Sequence, residues 1–276
     1  EVPELHLHAA HAYLSVSRFA EALEHARAAE SLRQTAIAQP LLEARALEGL
    51  EQHDEAYAVL VSACDVFRDE VRPWLELAVL AHRRGLDLEV RRVARELLGR
   101  RLDRATTLSL FHLLYDDKGA IPLLEQLVAS HQGDAELRAH LGHAYARQRR
   151  WFSAARLFEE ATVLGGAYAF EAADQYRMAG RFREALRLNG MVPKSDAQGV
   201  QRLAILFEEE QYARIVAMDA TPGDPASRYR VAYAHYALGD HAGATDRARA
   251  LLSTPYNDAA ASLLQAMGRH HAEPQQ

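Results

Sequence analysis

One small position recurs in phase along this chain, and the recurrence limits the fold more than any other feature. Ala22, in RFAEALEHA, is followed 34 residues later by Ala56 and after another 34 by Val90. The position returns at Ala154, Ala185 and Ala244, with Ile215 substituting in between. A second ladder runs Ala10, Ala44, Ala78, His112, Gly142, Ala173, Leu203, Ala232. A third lies three residues beyond each of these: Tyr13, Leu47, Ala81, Tyr115, Tyr145, Tyr176, Leu206, His235. Residues three apart share a helix face, so the second and third ladders mark one buried stripe on the first helix of a pair. Small residues stand where two backbones approach, and large ones fill the space beside them. The three ladders predict eight helix pairs.

The first three pairs keep the full period, with helices expected near 3–16 and 19–32, 37–50 and 54–67, and 71–84 and 87–100. Their turns read SVSRF, EQHDE and RRGLD. Pro73 suits the opening turn of its helix, where a missing N–H costs little. In the fourth pair, near 105–130, Asp116, Asp117, Lys118 and Gly119 break the chain, and Pro122 opens a shortened second helix. From there the second ladder steps by about 30 residues, which removes roughly one helical turn from each pair. Further breaks fall at GMVPKSD (190–196) and TPGDP (221–225). A last helix near 257–269 carries Ala260, Leu263, Leu264 and Met267 on one face, as a cap over the final apolar surface would. The division expected is 1–104 for three full-length repeats, 105–256 for five shortened ones, and 257–276 for the cap and a disordered tail.

The stretch Leu141–Ala161, LGHAYARQRRWFSAARLFEEA, carries the pattern most fully. Its order of Leu-Gly, Tyr, then an aromatic, Ala, Phe and Ala resembles the tetratricopeptide repeat, and Trp74 with Leu77 matches the large positions of that family's first helix. The resemblance spans nearly the whole chain and implies an all-α fold: a right-handed α-solenoid of antiparallel helix pairs with a C-terminal capping helix. It implies a concave face, built from first helices, that binds peptides or partner proteins, and no catalysis by the repeats. Some family members hold a C-terminal carboxylate with a Lys and Asn pair on successive first helices. The corresponding positions here are Leu7 and His11, Leu41 and Arg45, Leu75 and Val79, so that clamp is absent.

Phase places the candidate partner-binding side chains. They are His143 and Arg147 in the fifth pair, Phe170, Asp174 and Arg177 in the sixth, Phe207 in the seventh, and Tyr229, Tyr233 and Tyr236 in the eighth. Rings and guanidinium groups on one wall are the composition that concentrates binding energy. A ring at such a position either faces a partner or packs between helices, and the sequence leaves both open for Phe170, Tyr229, Tyr233 and Tyr236. A more polar N-terminal groove is expected from His11, Arg45, Glu48, Arg72, His82 and Arg83.

Composition narrows the function. The net charge is −6 and the pI near 6.2, which argues against an extensive nucleic-acid surface. Arg supplies nearly all the positive charge, Lys118 and Lys194 being the only lysines, an imbalance read as coding bias. No apolar run reaches the length of a membrane span. The single Cys64 excludes an intramolecular disulfide and leaves the compartment open. The chain opens on Glu1 without an initiator Met or signal peptide, as a processed form or an excised domain would.

Catalytic signals are poor, and neither cofactor nor metal is implied. His6, His8 and His11 lack a carboxylate or Cys at ligand spacing, and a solvated face is the simpler reading; His270 and His271 sit in the tail. Glu159–Glu160 and Glu208–Glu210 read as solvated helix ends, and Gly165–Gly166 as a helix junction. The function expected is a noncatalytic scaffold that binds a peptide or protein partner and assembles a multiprotein complex. Its narrower form is a domain of a bacterial envelope export system, with which the shortened repeats are compatible. The alternative is the regulatory arm of a larger enzyme or transcriptional regulator.

Overall fold

A computed structural model describes residues 2–218 and 222–270, apart from the side chains of 269 and 270; the expected tail, His271 and the first residue of the turn at 221–225 lie outside the described residues. Among them all regular structure is helical, seventeen α-helices and two short 3-10 turns. The chain divides into two compact units, Glu1–Gln132 and Gly133–Gln276.

The first unit holds α1 (Val2–Ser15), α2 (Phe19–Ala28), α3 (Ala38–Gly49), α4 (His53–Val66), α5 (Val71–Arg83), α6 (Asp87–Leu98), α7 (Arg104–Leu114) and α8 (Ile121–Ala129). The second holds α9 (Ala135–Arg147), α10 (Trp151–Val163), α11 (Ala169–Met178), α12 (Phe182–Asn189), α13 (Asp196–Glu208), α14 (Tyr212–Ala217), α15 (Pro225–Ala237), α16 (His241–Arg249) and α17 (Asn257–His270). Odd-numbered helices are the first of each pair. Each packs on its even-numbered partner, and α1 on α3, α5 on α7, α11 on α13 and α13 on α15 make the first helices a layer of their own within each unit. The α17 cap closes the second unit: Ala260, Leu263 and Met267 join Ala232, Ala244, Ala248 and Leu251 in one core cluster.

The ladders are the contact positions. Ala22, Ala56, Val90, Ala154, Ala185, Ile215 and Ala244 are all buried. So are Ala10, Ala44, Ala78, Gly142, Ala173, Leu203 and Ala232. The fourth pair departs from the reading: His112 is exposed and Tyr115 only half-buried, while Phe111 and Leu114 fill the core. The register there runs one residue earlier than the spacing suggested. In the shortened repeats the loss falls mainly on second helices, since α12, α14 and α16 have 8, 6 and 9 residues against 13 in α13 and α15.

A fourth ladder, in the turns, fixes how the pairs fold back. Ser17, Glu51, Gly85, Arg149, Gly180, Glu210 and Gly239 all have positive φ, from 58° to 80°. The residue after each donates its backbone N–H to the carbonyl of a third-ladder residue, as in Arg18 to Tyr13 at 2.9 Å, Arg150 to Tyr145 at 3.0 Å and Asp240 to His235 at 2.9 Å. This is the helix-ending motif in which the C″ amide returns to the C3 carbonyl, with a left-handed residue at C′. In these seven pairs the third-ladder residue anchors the turn; the fourth pair, at Tyr115, has no such turn. Four of the seven left-handed residues carry a Cβ, which the conformation penalises. Arg149→Gly should raise stability by about 1 kcal/mol; a thermal melt at or below the wild-type temperature contradicts this assignment.

Cys64 lies buried on α4, and burial pushes its thiol up to about 12, so it is an inert packing group.

Candidate functional site

The C-terminal end of the second unit gathers a cluster of six rings, four of them on first helices. Tyr229, Tyr233 and Tyr236 recur on α15 at the spacing that keeps one helix face together. Phe207 comes from the end of α13, Tyr212 opens α14, and Tyr256 stands in the turn before α17. Tyr233 is the hub. Its ring lies 5.5 Å from Phe207, 5.8 Å from Tyr212, 6.0 Å from Tyr236 and 6.3 Å from Tyr229. Tyr256 extends the run, 5.8 Å beyond Tyr229. The interplanar angles, 32° to 70°, are tilted and edge-on, the geometry favoured by the ring quadrupole.

The rings pack on the core without being fully enclosed by it. One side of each leans on the core, with Tyr229, Tyr233 and Tyr236 against the Ala232–Ala244 cluster and Phe207 and Tyr212 against Leu203, Leu206 and Ile215. All six are only partly buried, so part of each ring remains accessible. Burial pushes the hydroxyls of Tyr229 and Tyr212 above their usual range, and Glu210 raises Tyr212 further. These phenols are neutral hydrogen-bond donors.

The remaining expected wall residues lie apart from this cluster. Phe170, 37 % exposed, sits near the start of α11, where its carbonyl accepts a 2.8 Å bond from the Gln201 amide. His143 is exposed on α9 but rests its ring edge-on against Phe158 at 4.8 Å. Arg147 is exposed on the last turn of the same helix. Arg177 is committed within the chain: it pairs with Asp174 at 2.9 Å and reaches Glu208, tying α11 to α13. Its guanidinium thus holds two first helices together and is not a free cation.

Sequence reasoning missed Tyr212 and Tyr256. Tyr212 was within reach, because it stands three residues before Ile215 as Phe19, Trp151 and Phe182 stand before Ala22, Ala154 and Ala185. Tyr256 lies in a turn, where no repeat phase applies.

Of the residues expected in an N-terminal groove, His11, Arg45 and Arg72 line one cavity and Glu48, His82 and Arg83 do not. A cavity of about 440 Å³ is bounded by Leu7, His8 and His11 of α1, Leu41 and Arg45 of α3, and Arg72 of α5. Arg45 pairs with Glu76, and Arg83 with Glu48 at 3.2 Å, so two of its expected cations are spent between α3 and α5. Burial raises the Glu48 carboxyl, and Arg83 offsets part of that. His6 turns away, its Nδ1 2.8 Å from that of His25 on α2.

Acidic groups elsewhere serve packing. Glu159 accepts the Tyr176 hydroxyl at 2.6 Å and pairs with Arg187, so it is a tie between helices and not the solvated end expected. Among the described residues no three His, Cys, Asp or Glu side chains group as a metal site, and no helix is long and apolar enough to cross a membrane.

The first pairs repeat every 34 residues, mostly small residues occupy both contact ladders, and seven of the eight pairs close with a left-handed turn. The repeating unit is tetratricopeptide-like. No protein-family model matches the chain, and no curated protein matches it. Among solved structures it is similar to a tetratricopeptide repeat protein from Parabacteroides merdae, at 14 % identity over 96 % of this chain and 98 % of that one, with a TM-score of 0.38. It is similar to the TPR domain of P58(IPK), at 13 % identity over all of both chains and a TM-score of 0.36. A thermophilic TPR protein of Thermus thermophilus matches 74 % of this chain over 98 % of its own, at 17 % identity and a TM-score of 0.28. The tetratricopeptide-like architecture rests on the helix contacts and turns of this chain.

Proposed function

We propose that the protein is a noncatalytic scaffold that binds a peptide or protein partner on the first-helix wall of its second unit and so assembles a multiprotein complex. The ring cluster carries this reading. Six aromatic side chains, preorganised by their own contacts and each partly accessible, present a contact area whose ordering entropy is already spent. In its narrower form the reading places the scaffold in a bacterial envelope export system, which the shortened repeats accommodate; recovery of the native protein from the cytosol alone would count against that form.

A selection from random displayed peptides on the intact protein tests the binding role. The expected result is enriched binders whose affinity, read by fluorescence anisotropy, falls at least about tenfold on Tyr233→Ala. Binders indifferent to Tyr233 would move the surface elsewhere, the groove of Leu7, Leu41 and Arg72 being the next place to look.

A further inference from the structure

The ring wall has a chemistry specific enough to name its ligand. It offers ring faces and phenolic hydroxyls, and among the described residues the hydroxyls of Tyr212, Tyr229, Tyr233 and Tyr256 have no hydrogen-bond partner. None of these hydroxyl oxygens is among the buried atoms lacking a partner, so each can donate to water or to a ligand's carbonyl. The wall is made of helices, so it has no strand edge with which a bound backbone could exchange N–H and C=O bonds. A matching ligand supplies carbonyl acceptors, has few N–H donors of its own to strand, and fits flat apolar rings between aromatic ones.

Charge completes the description. Glu210, in the turn between α13 and α14, is exposed and has no ion-pair partner among the described residues. Its field reaches Tyr212, whose hydroxyl it pushes upward. One uncompensated carboxylate therefore stands at the Tyr212 side of the ring run, while Glu208 beside it is taken by Arg177.

Resting on the proposed binding role of this wall, we propose that its partner is a proline-rich segment in the extended polyproline conformation, with a basic residue beside it that pairs with Glu210. Proline has no N–H, and its carbonyls in that helix are all turned to solvent and unbonded. Its rings pack on aromatic faces, and the conformation is preformed, so little ordering entropy is lost on binding. The cation fixes the direction in which the segment lies.

The probes are three labelled peptides with blocked ends: a proline-rich decapeptide with one Arg near its end, the same peptide with its prolines changed to Ala, and the same with Arg changed to Glu. On the wild-type protein the first should bind at least about tenfold tighter than the second. It should also bind more tightly than the third, and Glu210→Arg should reverse that last order, since each mismatch sets like charges together. Melting at the wild-type temperature will show that Glu210→Arg, an exposed change, is folded. Indifference to the loss of proline, or no reversal in folded Glu210→Arg, overturns the inference. Randomly selected peptides that depend on Tyr233 but lack proline would overturn it too, while leaving the binding role of the wall intact.

Discussion

Phe158→Ala should destabilise the protein by about 3–5 kcal/mol, the cost of emptying a fully packed aromatic site. Phe158 is 1 % exposed on α10. Its ring contacts His143 at 4.8 Å and Tyr168 at 6.3 Å. It also lies where a Cβ on Gly142 would come within 3.1 Å of it, so α9 and α10 approach this closely because residue 142 has no side chain. Deleting the ring leaves a cavity that these two helices cannot easily close, because the turn between them is pinned by the Arg150 to Tyr145 bond at 3.0 Å. Phe152 provides the contrast on the same helix, being 45 % exposed. Urea unfolding should show a large loss for Phe158→Ala and a loss of about 1 kcal/mol or less for Phe152→Ala. Equal losses would place the wrong face of α10 inward.

The opposite change at the same contact should also be costly. Ala154 is fully buried one turn before Phe158, at the position that recurs through the ladder. Ala154→Leu adds three carbons where α10 meets its neighbours, and overpacking of this kind costs about 1–3 kcal/mol. Arg156→Leu, two residues on and exposed, should stay within about 0.5 kcal/mol of wild type. If Ala154→Leu melts with the wild type, the repeat phase is wrong at its most clearly marked position.

Much of the fold was legible because periodic packing leaves a periodic trace. Small residues at Ala22, Ala56 and Ala154 follow from backbone approach alone, and they gave the helix pairs before any coordinate. Phase failed where the fourth pair starts on a different footing. The Asp103 side chain caps α7 by accepting from the Thr106 amide at 2.7 Å, and the helix then buries Phe111 and Leu114 instead of His112 and Tyr115. Phe111 and Leu114 are more apolar than His112 and Tyr115, so burial favours that register. The turn ladder was hidden because Ser17, Glu51, Arg149 and Glu210 adopt a conformation usually marked by glycine.

The ring cluster was legible in part for the same reason. Phase put Phe207, Tyr229, Tyr233 and Tyr236 on first helices, and they do meet. It could not show that Arg177 reaches Glu208, because an ion pair between helices about thirty residues apart leaves no local pattern, although its i,i+3 pairing with Asp174 was within reach. Nor could it find the buried amide network at α12 and α13. There Asn189 donates to Gln201 Oε1 at 3.0 Å and accepts from Gln198 at 2.9 Å, and Gln201 goes on to the Phe170 carbonyl. Such a network is stable because each partner is satisfied, and no single residue of it announces the others.

The central functional claim is that the ring cluster recognises a partner in addition to packing on the core. Tyr233→Ala, measured at once for melting temperature and for affinity toward a peptide selected on the wild-type protein, tests it most directly. Tyr233 is half-buried and touches four other rings. The account predicts a folded variant that loses at least ~1–2 kcal/mol of binding, with a smaller loss of stability. A variant that is strongly destabilised yet binds with wild-type affinity at a temperature where it is folded would show that the ring is core alone.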